Sequence, residues 1–464
     1  MSRLDEGSRW QRLLVEPGTE WSWRGELVGG TTTFLATAYI VVVNPAILAF
    51  AGIPEGPSTV ATALAAAFGT LLMALIARRP FAVAPYMGEN AFLAFGLAAL
   101  GITWQQRLGA VFVAGALFLL LTLSGVRRWL AESISSSLKH AFAVAIGLFL
   151  AELGLYEAGI FTSAAAGMPA GALAGSGGLL RAPDVPVRIG DWSEPGTILA
   201  LAGIALTLLL VLRRVRGGIL LGMLPLGAAG LLLGLAPLPE SWFAMPFRGE
   251  LSLEPIALQL DVVGILEPRH WPVLGTLALM GFLDTLGTLV ALGAAAGMLD
   301  QRGNFPKIER PMAVDALASM GSALVGTSTS GAYIESATGI RDGARTGIAS
   351  VVTASLFALA LFLAPAARVL QAMPFVYAPA LVTVGILMLR SARDVDFADL
   401  VEAVPAFATV AMTIFTYNIA NGLAAGLLAA PLSRLAAGRG REVGAAGWLL
   451  GGICLAYFVG GLRH

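Results

Sequence analysis

The chain has 464 residues, of which 57% are hydrophobic and 12% charged, with 29 basic residues against 29 acidic ones and a formal net charge of zero. Soluble domains carry about 25% charged residues, so an ordinary soluble protein is excluded, and the lack of a basic field excludes a nucleic-acid binder. One cysteine, Cys454, and three dispersed histidines, His140, His270 and His464, exclude an internal disulfide and a metal cluster.

Residues 1–25 carry Arg3, Arg9, Arg12 and Arg24 beside acidic residues, without an apolar core of signal-peptide type. They predict a cytoplasmic tail with a short amphipathic stretch. From Gly25 onward, apolar runs of about 17 to 25 residues recur, each long enough to cross a hydrocarbon core of about 30 Å. They predict fourteen helical spans: 26–50, 58–79, 81–97, 105–126, 138–156, 196–212, 216–236, 271–298, 309–326, 328–341, 346–364, 375–390, 400–416 and 418–434. The short run 447–461 is either a further span or an interfacial helix. An inside N-terminus places most connecting cations on the cytoplasmic side, among them Arg79, Arg127, Arg128, Arg216, Arg302, Lys307, Arg310, Arg345 and Arg434. It leaves outside Arg107, Arg181, Arg188, Arg248, Arg269 and Arg368, so the positive-inside bias predicts that orientation. A mean hydropathy of +0.80 and 56 glycines suit closely packed helices in lipid, an all-α multi-pass protein of the cell membrane.

The spans divide into two sevens around a polar external stretch from Glu240 to His270, and an odd count per half makes the repeats inverted. Leu138 to Leu150 (LKHAFAVAIGLFL) resembles Ala378 to Leu389 (APALVTVGILML), and Val215 to Leu226 (VRGGILLGMLPL) resembles Ile419 to Pro431 (IANGLAAGLLAAP). Interrupted segments at matching positions of inverted repeats point to a transporter's midplane site. Here these are the third and tenth spans, Ala84 to Phe92 (APYMGENAF) and Thr327 to Thr338 (TSTSGAYIESAT). Pro85, Gly88 and the Thr/Ser run leave backbone groups that lipid cannot pair. Each segment is therefore expected to be a short extended stretch leading into a half-helix, the two meeting near the membrane centre.

A carboxylate inside a membrane helix costs about 2.5 kcal/mol or more on insertion scales, which singles out Glu89, Asp284, Asp315, Glu335 and Glu402. Asp284 lies mid-span, and Glu335 sits in the second broken segment beside Tyr333 and Ser336, so both are expected to be buried and to work on substrate or proton. Glu89 holds the matching place in the first broken segment. Asp315, four residues after Pro311, and Glu402, near a helix start before Pro405, fit scaffold roles. The set suits a planar heterocycle with N–H donors beside C=O or ring-nitrogen acceptors. A carboxylate accepts N–H, while Asn90 and the backbone near Gly88 donate, and Tyr333 or Phe34 offers an aromatic face. Burial favours the protonated acid, so a proton can travel with the substrate. No nucleophile and base constellation points to an enzyme, since Ser328 and Ser330 have no nearby histidine.

At these residues the chain resembles the nucleobase:cation symporter family 2, in its azaguanine-type branch of adenine, guanine and hypoxanthine permeases. The likeness spans nearly the whole chain. It is carried by Gly29 to Pro45 (GGTTTFLATAYIVVVNP), Phe282 to Thr288 (FLDTLGT), Asp315 to Ala318 (DALA), and Gly326 to Thr329 (GTST) through Ala332 to Ser336 (AYIES) and Gly343 to Gly347 (GARTG). The resemblance implies the uracil-permease fold: a core domain at 26–126 and 271–364, a gate domain at 127–236 and 365–435, an external linker at 237–270 and a C-terminal segment at 436–464. It implies a proton symporter that imports a purine base by an elevator-like movement, with no cofactor, and it leaves a homodimer through the gate helices open. It assigns the eighth-span acid to Asp284, the tenth-span acid to Glu335 with Tyr333 two residues before, and the third-span Gly-x-Asn to Gly88 and Asn90. Asp284, Glu335 and Thr288 are then the candidates for proton coupling.

Two departures stand out. The branch usually has Leu where this chain has Glu89, and another acid where it has Gly281. Compensation of one by the other across the pocket would change which purine is preferred. Xanthine- or uracil-type bases are the nearest alternative substrates. An anion exchanger on the same fold is a further rival, against which two carboxylates would act by repulsion.

Overall fold

The computed structural model describes residues 9–97, 100–124, 133–163, 187–299 and 305–459. Arg3, Arg127, Arg128, Arg181, Arg302 and His464, with the rest of residues 1–8 and the side chains of Arg9 and Arg12, lie outside the described residues. In chain order the elements are α1 (Arg9–Leu14), α2 (Trp23–Thr37), α3 (Ile40–Ala49), α4 (Glu55–Leu72), β1 (Val83–Pro85), α5 (Met87–Ala91), α6 (Trp104–Ser124), α7 (Ser136–Glu157), β2 (Phe161–Ser163), β3 (Val187–Ile189), α8 (Pro195–Leu212) and α9 (Gly218–Leu232). They continue with α10 (Val262–Ile265), α11 (Trp271–Ala295), α12 (Glu309–Val325), β4 (Ser330–Ala332), α13 (Ser336–Arg341), α14 (Gly347–Ala360), α15 (Ala364–Gln371), α16 (Pro374–Met388), α17 (Leu400–Phe415), α18 (Ile419–Ala436) and α19 (Ala445–Val459). Two π-helical turns, Met73–Ala77 and Phe92–Gly96, prolong α4 and α5. Among the described residues, nine helices are long and apolar enough to cross a membrane, and the chain is a multi-pass membrane protein.

The helices sort into two bundles interleaved along the chain. In one, α2 and α4 pack on α14, α4 and α6 pack on α12, and α6 also meets α11. In the other, α7 packs on α16 and α17, α8 on α9 and α16, and α18 on α17 and α19. Helix starts follow side-chain caps: Ser22, Ser135, Thr346, Asp399 and Asn418 each accept a hydrogen bond from a backbone N–H of the turn that follows.

The extended stretches expected in the third and tenth spans pair with each other as β1 and β4, and a second antiparallel two-stranded sheet joins β2 to β3. The second sheet had no signal in the sequence. The first span, Trp23–Ala49, runs as α2 and α3 with a turn at Ala38 and Tyr39 between them. Within α3, Pro45 has no N–H to give the carbonyl of Val41, and Gln371 of α15 donates its Nε2 to that carbonyl at 3.1 Å. The helix α15 itself lies in a stretch read as a connection. Arg107, one of the cations placed on the outer side, is buried and donates to the carbonyls of Ile102, Leu93 and Ala94 at 2.9, 2.8 and 3.2 Å, closing the C-terminal end of the broken third segment.

An acid that the sequence reading passed over anchors the first bundle. Glu26 is buried, and its carboxylate accepts from the backbone N–H groups of Arg345, Thr346 and Ala349 at 3.0, 3.3 and 3.0 Å, so a side chain of α2 caps the first turn of α14. Hydrogen bonds to a charged acceptor are worth about 1.5–3 kcal/mol each at most, and these three share one group. Glu26→Ala is therefore expected to destabilise the protein by about 2–3 kcal/mol, read as a fall of several degrees in the Tm of the detergent-solubilised protein. An unchanged Tm would remove the cap from the account.

Candidate functional site

The two chain segments that abandon the helix in the first bundle pair with each other. Val83 stands opposite Ala332, Ala84 opposite Gly331 and Pro85 opposite Ser330. The pairing is extended by Tyr86 N–H to the Thr329 carbonyl at 2.8 Å and Tyr333 N–H to the Ala82 carbonyl at 2.9 Å. Side chains take up what the short ladder leaves. The Thr70 hydroxyl accepts from Val83 N–H at 2.9 Å and donates to its carbonyl at 3.0 Å. Ser319 does the same for Ser330. Ser336 accepts from Ala82 N–H at 3.0 Å, so this residue, expected at the substrate, is committed to backbone. Gly331 is needed where it stands, because a Cβ there would lie 2.2 Å from the Tyr86 ring.

Asp315 ties these segments to the helices behind them. Its Oδ2 accepts from the Thr285 hydroxyl at 3.0 Å, from Ala332 N–H at 3.1 Å and from the Tyr86 hydroxyl at 3.3 Å. One oxygen thus joins α11, β4 and the turn into α5 to α12. Glu402 is also tied to structural partners, the guanidinium of Arg434 and the Ser135 hydroxyl.

Asp284 and Glu335 are half-buried, whereas Glu89 and Asp315 are each 1% exposed and Glu26 is fully buried. The Tyr39 hydroxyl donates to Glu335 Oε1 at 2.9 Å, and Oε2 accepts nothing among the described residues. Neither oxygen of Asp284 has a hydrogen-bond partner among the described residues. Tyr333 donates its hydroxyl to the Pro85 carbonyl, and its ring runs parallel to that of Tyr86, centroids 6.4 Å apart. Asn90 Nδ2 reaches the Asn44 carbonyl at 3.4 Å. Asn44 in turn donates to Thr62 and Thr327 and accepts from Ser328.

The remaining sequence-predicted residues fall elsewhere or do other work. Phe34 packs edge-on against Phe357, centroids 5.1 Å apart, and makes none of the contacts that hold the carboxylates. Gly88 marks a close approach, since a Cβ there would be 3.0 Å from Ile146 Cγ2 of α7 in the other bundle. Thr288 lies four residues beyond Asp284 on α11, one turn along the same face. Tyr39 and Asn44 were missed as site residues, although both lie inside the Gly29 to Pro45 stretch and are polar groups in an otherwise apolar run.

The comparisons agree with this architecture. The Permease family model of xanthine and uracil permeases matches residues 24–425, and the chain belongs to this family, the nucleobase-ascorbate transporters. A Methanocaldococcus jannaschii protein, named only as a permease, is 43% identical over 90% of this chain and 91% of its own. The guanine/hypoxanthine permease PbuG of Bacillus subtilis is 36% identical over 94% of this chain and 97% of its own, and the adenine permease AdeP of Escherichia coli is 34% identical over 93% and 91%. These relatives are those of the azaguanine-type purine branch. Among solved structures, the transmembrane domain of the cyanobacterial bicarbonate transporter BicA shares the fold with a TM-score of 0.59 at 16% identity, covering 86% of this chain and 96% of that one.

Removing the Asp315 carboxyl takes the acceptor from the Ala332 N–H and from the Thr285 and Tyr86 hydroxyls, which also lie within hydrogen-bond reach of each other, at about 1–3 kcal/mol for each donor left unpaired. Asp315→Ala is expected to lower the Tm in detergent by well over the shift from Asp315→Asn, whose amide oxygen still accepts. Equal shifts would show that the acceptor is not what holds the segments.

Proposed function

We propose that the protein is a secondary active transporter that imports purine nucleobases, adenine, guanine or hypoxanthine, in symport with a proton. The observation that carries this reading is the pair Asp284 and Glu335, two half-buried carboxylates short of hydrogen-bond partners in the middle of a membrane-spanning bundle. Such groups are costly in lipid and call for a ligand that supplies donors. Purines present adjacent N–H and acceptor edges, and a carboxylate takes one or two N–H groups in a charge-assisted manner. Adjacent negative charges disfavour the anion-exchanger alternative, and the relatives named for purines support the base reading.

The nine long apolar helices, the shorter helices α9, α12 and α17 and the two strand-led segments make fourteen crossings on this reading, with α19 left over. The first bundle is the core that holds the base, and the second is the gate. A cytoplasmic N-terminus is supported by Glu16 of the tail, which pairs with Arg79 at 3.1 Å, Lys307 at 3.6 Å and Arg310 at 3.8 Å, gathering cations of the inside set. On the linker side, rings from both bundles meet: Phe50 with Phe95 at 5.2 Å, Phe95 with Tyr417 at 5.8 Å, and Tyr417 with Phe149 at 4.9 Å. On this reading the cluster is the contact between core and gate that an elevator-like cycle has to break.

Uptake of labelled adenine, guanine, hypoxanthine, xanthine and uracil by cells producing the protein tests the reading. Saturable uptake is expected for at least one of the three named purines and not for uracil. Glu335→Gln gives up charge-assisted bonds worth about 3 kcal/mol, so it should reduce uptake about 100-fold; unreduced uptake would overturn the assignment. Tyr39→Phe, which removes the donor to Glu335 Oε1, should raise the KM about fivefold at an unchanged Tm, matching a loss of about 1 kcal/mol.

A further inference from the structure

Glu89 is the acid that the transport reading leaves unused. It lies in α5 with both carboxyl oxygens buried and neither one partnered among the described residues. The titratable groups around it are Asp284 of α11, Asp315 of α12 and the phenols of Tyr86 and Tyr333, so its neighbours in charge are acids. From α7 the residue facing this turn is the aliphatic Ile146, and α3, which also packs on α5, contains no titratable side chain. An ionised carboxylate so placed is very costly, which suits a group that takes up a proton and gives it back.

Opposite Glu89, α11 has no side chain. A Cβ built on Gly281 would have one neighbour within 4 Å, Glu89 Oε1 at 3.9 Å. The carboxyl group therefore points at open space beside α11, three residues before Asp284. A group there can gain and lose a proton without giving up a structural hydrogen bond, unlike Asp315, whose oxygen serves three donors.

We propose that Glu89 carries the coupled proton, one per base moved, while Asp284 and Glu335 hold the base. This rests on the transport reading of the same site. The proton adds to the Glu89 carboxylate from one side of the membrane to form the carboxylic acid. That O–H bond breaks on the other side and returns the carboxylate, and the base is carried unchanged. Because the acid reaches the space beside Gly281 from α5, an acid placed on α11 at position 281 would fill the same space.

The test uses the purified full-length protein in liposomes, with labelled adenine, guanine and hypoxanthine as probes. One reading is base-for-base exchange without a pH gradient, and the other is net uptake driven by an acid exterior with proton movement followed by an internal dye. Glu89→Gln should keep exchange within about twofold of wild type and lose at least tenfold of the gradient-driven uptake. The swap Glu89→Leu with Gly281→Asp should recover at least a third of wild-type driven uptake. Three results overturn the proposal: Glu89→Gln with a full gradient response, Glu89→Gln that loses exchange as well, or wild-type uptake with no proton moved. If Glu89→Gln does not elute as a folded species, the swap and the wild-type proton reading decide, and a swap that exchanges base without gradient response overturns the proposal. Wild-type protein that exchanges none of the three bases would instead overturn the transport reading on which it rests.

Discussion

A backbone amide inside a bilayer has no water to turn to, and this constraint organises the molecule. Two stretches of the first bundle leave the helix, and each is answered mainly by the other, through the three-residue pairing of β1 with β4. The remaining polar groups are met by hydroxyls of Thr70, Ser319 and Ser336. Asp315 then fixes the pair against α11 and α12. The same rule explains Gln371 at the carbonyl that Pro45 leaves open and Arg107 at the end of the third segment.

Once the backbone is satisfied in this way, the acids differ by what is left for them to do. Asp315 Oδ2 and the Glu26 carboxylate are engaged by donors from the protein and act as fasteners. Glu335 keeps one oxygen engaged by Tyr39, and Asp284 keeps none. Glu89 is as deeply buried as Asp315 yet has no partner among the described residues. Residues of one chemical type thus divide into anchors and working groups according to the donors within reach.

Much of this was legible in the sequence, and the legible parts share a cause. Pro85, Gly88 and the Thr/Ser run from Thr327 break helical pattern in ways that composition alone exposes, so the paired extended stretches and the half-helices after them were readable. The acids stood out because each is conspicuous in an apolar run. Depth was not readable: helices apolar on every side carry no stripe to show which way a residue faces, so the sequence does not show that Glu89 and Asp315 lie deeper than Asp284 and Glu335, or that Phe34 packs against Phe357. Glu26 sits at the first position of its expected span, where an acid reads as interfacial. The break at Ala38 and Tyr39, and the pairing of β2 with β3, depend on contacts between distant segments.

On the proposed transport reading, the aromatic cluster on the linker side bears on the speed of the cycle. If the bundles slide past each other, Phe95 must part from Tyr417, and the ring faces they cover become wet. Exposing about 200 Å² of apolar surface costs about 5 kcal/mol, a sizeable share of the activation barrier of a carrier turning over a few times per second, about 17 kcal/mol. Tyr417 holds a left-handed backbone conformation, φ 50°, between α17 and α18, and the neighbouring Asn418 reaches Gly96 of the core at 3.4 Å. The ring that bridges the two bundles is thus mounted on a left-handed turn, so on the proposed transport reading the strength of this contact would govern how readily the bundles part.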